Sequence, residues 1–272
     1  MMETTTTLNK KRPLWVWILV FVTSAFLGVG GYTVLQVLAL NNASPLILVI
    51  ASAIILGLYA LGVKLLEGHW PHDLGMGKLM PHTLTGLFVG FVFMTLVVST
   101  IVATGCAAIN SQAFTWEELV RPFMLYLIVA VGEEMIFRGI LFRQIDERWN
   151  TGVALIVSAL VFGFIHLPNQ GASWWSSLAI AIEAGLMLGA AYKWSGTLWL
   201  PIGIHWAWNF TQGNVFGLAV SGNSFGGTML TTTVNGPDII TGGIFGPEAS
   251  IIAVILGTVI TIIFLGNRYR HH

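Results

Sequence analysis

The chain has 272 residues, 55% of them hydrophobic and only 9% charged, with twelve basic residues balanced by twelve acidic ones. So little charge excludes a soluble globular domain of this length and points to a single polytopic membrane domain. Zero net charge leaves no electrostatic footprint for nucleic acid, and one cysteine, Cys106, excludes a disulfide framework or a cysteine zinc cluster and reads as an inert small apolar residue.

Lys10, Lys11 and Arg12 precede an apolar run from Leu14 to about Leu40. That run is too long for the apolar stretch of a cleavable signal and is expected to be a first transmembrane helix. Runs of about 20 apolar residues then place further spans near 45–66, 83–105, 121–145, 150–167, 174–193, 197–213 and 249–266, with the first near 14–38. The expected fold is therefore an all-α polytopic membrane protein with about eight transmembrane helices and an active site within the bundle. Its divisions are 1–120 (three helices and loops), 121–213 (a core of four helices) and 214–272 (a Gly-rich external loop and the last helix).

Alternating the spans from a cytosolic N-terminus puts ten of the twelve Lys and Arg inside, leaving Arg121 outside and Arg138 within the membrane. This asymmetry agrees with the positive-inside rule and places both termini in the cytosol. Short loops and the lack of a retention signal suit a prokaryotic plasma membrane.

The fourth span, "LIVAVGEEMIFRGILF", carries Glu133, Glu134 and Arg138. The fifth ends with His166, the sixth holds Glu183, and the seventh holds His205 and Asn209. The other five histidines, His69, His72, His82, His271 and His272, lie in the second cytosolic loop or at the C-terminus. Ionisable groups at bilayer depth face a bundle interior and mark function by default.

Helical spacing sorts these groups. Glu134 and Arg138 are one turn apart on one face and can pair. Glu133 is turned about 100° from that face, and a desolvated carboxylate is a candidate general base. His205 and Asn209 share a face, as do Phe162 and His166. Counting rise per residue puts Glu133 roughly 15 Å and His205 roughly 13 Å from the cytosolic surface, but His166 roughly 24 Å. His166 matches the others only if its helix starts below the surface or tilts strongly.

Three motifs thus occur in order on successive spans: E-E-x-x-x-R (Glu133, Glu134, Arg138), F-x-x-x-H (Phe162, His166) and H-x-x-x-N (His205, Asn209). Over about 121–213 the chain resembles the CPBP family of intramembrane proteases, also called Abi or type II CAAX prenyl endopeptidases. "AGLMLGAAYKWSGTLWLPIGIHWAWN" is similar to that family throughout. The resemblance implies peptide-bond hydrolysis within the membrane. Glu133 would activate water with His166, His205 and Asn209 would stabilise the oxyanion, and Glu134 and Arg138 would form a structural pair. A zinc site of Glu133, His166 and His205 is the alternative, although the chain lacks H-E-x-x-H.

Phe162 and Glu183 are read as supporting residues; Glu183 is a structural carboxyl, one beside the site, or a group on the substrate path, the first two being favoured. Gly185 and Gly189 are expected to permit close helix packing. The tryptophans are expected in interface belts and core, as at Trp174 and Trp175. Segment 212–248 has nine glycines and no Lys or Arg. It reads as a surface loop, or as a re-entrant lid over the site's outer mouth. Pro247 and Glu248 suit the first turn of the last helix. The expected partners are the lipid bilayer and a membrane-embedded protein or peptide substrate: a bacteriocin leader, a signal-type peptide or a membrane regulator. The alternative functions are a catalytically silent scaffold or immunity-type protein, and a proton-coupled transporter.

Overall fold

A computed structural model describes residues 43–268 together with the single positions 18, 22 and 37. The expected first span, 14–38, lies outside the described residues. Helix α1 (Pro45–Glu67) starts where Ser44 accepts from the Ile47 amide, with Pro45 in the first turn, and stops at Gly68 in the left-handed region. Its buried stripe is Leu48, Ser52, Ile55, Tyr59 and Val63. The opposite stripe, including Leu46, Ile50, Ile54, Leu58 and Leu65, is exposed. A long apolar face with no cover among the described residues suits lipid.

Helix α2 (Leu79–Ala103) leads into strand β1 (Ala107–Ser111). Helix α3 (Trp116–Glu134) is started by a capping box between Thr115 and Glu118. It runs through a π-helical segment (Met135–Phe142) into α4 (Arg143–Arg148). Helix α5 (Thr151–Phe164) is capped by Asn150, and α6 (Trp174–Ile180) by Ser173. A second π segment (Ala181–Leu186) joins α6 to α7 (Met187–Ser195). Helix α8 (Trp199–Phe210) ends in a third π segment (Thr211–Val215). Pro201 does not break α8, because it lies in the first turn, where its missing N–H costs no helical bond. Strand β2 (Leu230–Val234), the short α9 (Asp238–Thr241) and α10 (Ile251–Arg268) complete the chain.

Three described helices are long and apolar enough to cross a membrane: Pro45–Glu67, Met76–Ala103 and Trp174–Ser195. The expectation of eight spans is met only at this coarser level. Thr151–Phe164 and Ile251–Gly266 are apolar but shorter, and the fourth expected span carries Glu133, Glu134 and Arg138 in its apolar run. The expectation of an all-α chain is corrected by one small sheet. β1 and β2 pair antiparallel from Ala107↔Val234 to Ser111↔Leu230. Four of the five β2 residues in "LTTTV" are β-branched and suit a strand, but their mate is about 120 positions away.

The tightest packing is between α2 and α8. A Cβ on Gly86 would lie 2.4 Å from the Leu200 carbonyl oxygen, and one on Gly90 would lie 2.2 Å from that of Ile204. Gly203 returns the contact against the Thr83 carbonyl, at 2.5 Å. Small residues spaced by four let two backbones touch, and this contact sets the height of His205. Gly185 behaves as expected, with a Cβ there 2.6 Å from the Ala159 Cα, whereas Gly189 would meet the Leu155 side-chain tip at 3.1 Å. Gly90→Ala is expected to cost about 1–3 kcal/mol or more through overpacking. Gly57→Ala on α1, where a Cβ meets nothing within 4 Å, should be neutral or stabilising by up to about 1 kcal/mol. Thermal unfolding of the two purified variants in detergent should therefore shift in opposite directions or in one direction only for Gly90.

Segment 212–248 is tied down along its length. Asn214 donates to the carbonyls of Phe225 and Gly227, Thr232 to that of Phe216, and Asn169 to that of Ser221. Trp174 is exposed, and Trp175 donates its indole N–H to the Ala249 carbonyl at 2.8 Å.

Candidate active site

A cavity of about 550 Å³ opens within the bundle. Glu133, His166, Glu183, His205 and Asn209 all line it, together with Ser221, Asn223 and Glu248 from the C-terminal segment. Much of the remaining wall is apolar, including Leu125, Ile128, Ile136, Ile165 and Ile180.

The expected Glu134–Arg138 pair forms. Arg138 Nη1 donates to Glu134 Oε1 at 2.7 Å, and both side chains are fully buried. Arg138 also reaches across to the second π segment, where its Nη2 donates to the carbonyls of Ala184 and Gly185 at 3.3 and 3.2 Å. Its guanidinium carbon stands 4.5 Å from the centre of the Phe162 ring. Phe162 in turn meets Phe137 edge-on and lies against the rings of His166 and His205. One arginine therefore clamps three helical elements around the aromatic ring that braces both histidines.

Glu134 does a second thing that spacing along one helix does not reveal. Its Oε1 lies 2.9 Å from His205 Nδ1. A carboxylate accepts, so Nδ1–H donates, and His205 Nε2 points the other way, 3.8 Å from Glu133 Oε2. His166 Nδ1 lies 2.7 Å from the Phe162 carbonyl oxygen. A carbonyl also only accepts, so this ring holds its hydrogen on Nδ1 and presents Nε2 as a lone pair. Two anchored imidazoles, one held by a carboxylate and one by a backbone carbonyl, thus share the cavity with the Glu133 carboxylate.

His166 does not sit on a helix. α5 stops at Phe164, and the chain turns through His166 to Pro168. From this turn His166 lines the cavity with Glu133 and His205. Asn209, one turn beyond His205, lies on the same wall and is 7% exposed.

The three proposed zinc donors do not make a metal set as placed. Among the described residues no group of three His, Cys, Asp or Glu side chains is disposed to hold an ion. Nδ1 of each histidine is engaged, by Glu134 and by the Phe162 carbonyl, which leaves Nε2 of each as the nitrogen available to a ligand.

The sequence reading missed two residues. Gln212 accepts from the Trp208 indole at 2.9 Å and donates to Glu248 Oε2 at 2.8 Å and to the Ala219 carbonyl. Glu248 Oε1 accepts from the Ser221 hydroxyl at 2.7 Å and from the Ser221 amide. Instead of facing the dipole of the last helix, Glu248 joins the π segment after α8 to a stretch that lines the cavity. α10 is capped by Ser250, which accepts from the Ala253 amide. The only local signal for Glu248 was a lone carboxylate beside an apolar run.

Glu248 lies outside the expected spans, and burial pushes its carboxyl up to about 7, against the lowering influence of Ser221, Gln212 and the His205 charge. A folded-state value above the ordinary 4.5 means that the native protein holds this proton more tightly than the unfolded chain. Stability is then fully present below about pH 4.5, falls as pH rises through about 7, and levels off. The total loss is roughly 3 kcal/mol at 1.36 kcal/mol per unit. Glu248→Gln should flatten this dependence in unfolding curves recorded between pH 5 and 8; an unchanged slope would assign it elsewhere.

Residues 115–211 match the family model described as "Type II CAAX prenyl endopeptidase Rce1-like". The chain is 29% identical over 97 residues to "Uncharacterized protein YpbD" of Bacillus subtilis (strain 168), covering 36% of this chain and 46% of that one. It thus spans under half the length of that curated relative. No solved structure matches. The three motifs, from Glu133 to Asn209, all fall inside the matched residues, and 115–211 is the part of the chain that carries its likeness to the Rce1-like type II CAAX prenyl endopeptidase family.

Proposed function

We propose that this protein is an intramembrane endopeptidase that hydrolyses peptide bonds of membrane-associated proteins or peptides, with residues 121–213 as its catalytic core. One observation carries the reading: Glu133 Oε2 and His205 Nε2 face each other at 3.8 Å in a largely apolar cavity that His166 and Asn209 also line. Four polar groups on three elements converge on a space able to hold a peptide bond and a water.

In this scheme Glu133 takes a proton from a water as its oxygen adds to the substrate carbonyl carbon. His166 Nε2 accepts the water's other hydrogen bond and fixes its direction. The oxyanion that develops is met by Asn209 and by His205 through Nε2–H. For His205 to donate there, both ring nitrogens must carry hydrogen, and the Glu134 carboxylate holds the Nδ1–H end. Preorganised donors in a water-poor site are worth a few kcal/mol in the transition state. The proton on Glu133 then passes to the leaving nitrogen as the C–N bond breaks, giving a carboxylic acid and an amine, which exchange a proton to leave as carboxylate and ammonium. Glu134 and Arg138 hold the histidine and the helices in place.

The membrane setting is supported by the three long apolar helices. Orientation is supported by charge. Arg143 binds Glu67 at 2.7 Å, Lys193 binds Asp146, and His69 lies near both, around a second cavity of about 490 Å³. We place this end in the cytosol of a prokaryotic cell, with both termini on that side. The test is incubation of the purified protein with membrane peptides, prenylated and unprenylated at a C-terminal cysteine motif, with products read by mass spectrometry. Internal cleavage at a defined bond supports the reading. Failure to cleave any member of the panel in detergent and in lipid would remove it.

A further inference from the structure

Glu183 is the carboxylate that this hydrolytic scheme does not use. It lies in the π segment Ala181–Leu186, is 0% exposed and lines the cavity. Neither of its oxygens has a hydrogen-bond partner among the described residues. Other buried carboxylates differ. Glu134 is held by Arg138 and His205, Asp73 by the hydroxyls of Tyr59 and Tyr192, and Glu248 by Ser221 and Gln212. A buried polar group with its hydrogen-bonding capacity unmet costs about 1–3 kcal/mol, and more when charged. A structural carboxyl is capped; this one borders a cavity with neither oxygen hydrogen-bonded.

The surroundings define what would fill that gap. Among the described residues lining the cavity are three carboxylates, Glu133, Glu183 and Glu248, and no Lys or Arg. Arg138, bonded to the same π segment, is committed to Glu134 and to the carbonyls of Ala184 and Gly185. The backbone of Glu183 is fixed from behind by α10, since a Cβ on Gly257 would lie 2.9 Å from its Cα. Apolar walls such as Ile180 and Leu188 suit the methylene stem of a long side chain whose charged end reaches a carboxylate.

We infer that Glu183, backed by Glu248, forms an acidic subsite that binds a basic side chain of the substrate close to the scissile bond. The inference rests on the endopeptidase reading and adds a specificity to it. A metal ion is a poorer occupant, because no three-donor group exists among the described residues.

The test uses pairs of fluorogenic peptides with acetylated N-termini, differing only by lysine or norleucine at each position flanking the cleaved bond. Wild-type protein should favour lysine at one position by roughly tenfold or more in kcat/KM, the discrimination typical of a polar subsite. Glu183→Gln should bring that ratio to within about twofold of one, whatever it does to absolute rates. Glu183→Asp keeps the charge and should retain a reduced preference; it serves if the glutamine variant does not purify. A ratio near one in the wild type overturns the subsite. So does a glutamine variant that slows both peptides equally and leaves the ratio intact, the signature of a purely structural carboxyl. If no peptide is cleaved, fluorescence anisotropy measures binding of the same pairs. A lysine preference that disappears in Glu183→Gln would sustain the subsite and retire the hydrolysis, while equal binding of both peptides would overturn the subsite too.

Discussion

Glu133→Gln is expected to lower kcat/KM for peptide cleavage by about 10³-fold while leaving the protein folded. A positioned general base contributes typically 10²–10⁴-fold, and the amide keeps the size of the carboxylate while accepting no proton at neutral pH. Glu133 is mostly buried at the end of α3, so a near-isosteric change disturbs little packing. An unfolding midpoint within about 2 °C of the wild type would separate lost chemistry from lost structure. The same assay with a strong chelator addresses the alternative donor set of Glu133, His166 and His205. Each of these histidines already has Nδ1 engaged, by the Phe162 carbonyl and by Glu134. That engagement leaves Nε2 free in either reading; with Glu133 acting as a base and no metal in the scheme, the wild-type rate should survive chelation. Loss of activity that zinc restores would instead make Glu133 a ligand, and Glu133→Gln would then lower metal binding in proportion to rate. Full activity in Glu133→Gln would remove the residue from the chemistry altogether.

Features contained within one helical turn were legible in the sequence. Glu134 and Arg138 pair as their spacing leads one to expect, because a four-residue separation stays close to one turn even where Arg138 enters the π segment. His205 and Asn209 share a wall of the cavity for the same reason. Features that depend on contact between distant segments were not legible. The bond between Glu134 and His205 joins residues 71 positions apart. Gly86 and Gly90 show the small-residue spacing as plainly as Gly185 and Gly189, yet only the partner backbone of α8 reveals that they carry the tighter contact.

The three π segments had no readable signature, since each is an alteration of hydrogen bonding rather than of composition. They matter because Arg138, Glu183 and Gln212 lie in them. Counting rise along an ideal helix did not provide for the turn that holds His166, because α5 stops at Phe164. Pro168, two residues on, was the local sign of that stop.

Arg138→Met should have the largest effect on stability of any single substitution in the core. Removing one partner of a buried ion pair costs about 3–5 kcal/mol, because the remaining charge stays desolvated. Here the loss also strips a donor from the carbonyls of Ala184 and Gly185 and a cation from the face of Phe162. The expected result is a protein that purifies poorly or unfolds many degrees below the wild type. Glu134→Gln combined with Arg138→Met removes both charges and should recover part of the loss, since side chains in contact are non-additive by about 0.5–3 kcal/mol. Recovery will be incomplete in activity even where it is large in stability. A neutral amide holds His205 Nδ1–H less strongly than a carboxylate, so the ring that faces Glu133 loses part of its orientation. Thermal unfolding of the two single variants and the double variant, beside cleavage rates for each, separates these contributions. A double variant no more stable than Arg138→Met would locate the cost in the two carbonyls and the Phe162 face rather than in the stranded Glu134 charge. Arg138 would then be chiefly the clamp between α3 and the π segment that carries Glu183, and only secondarily the neutraliser of a glutamate.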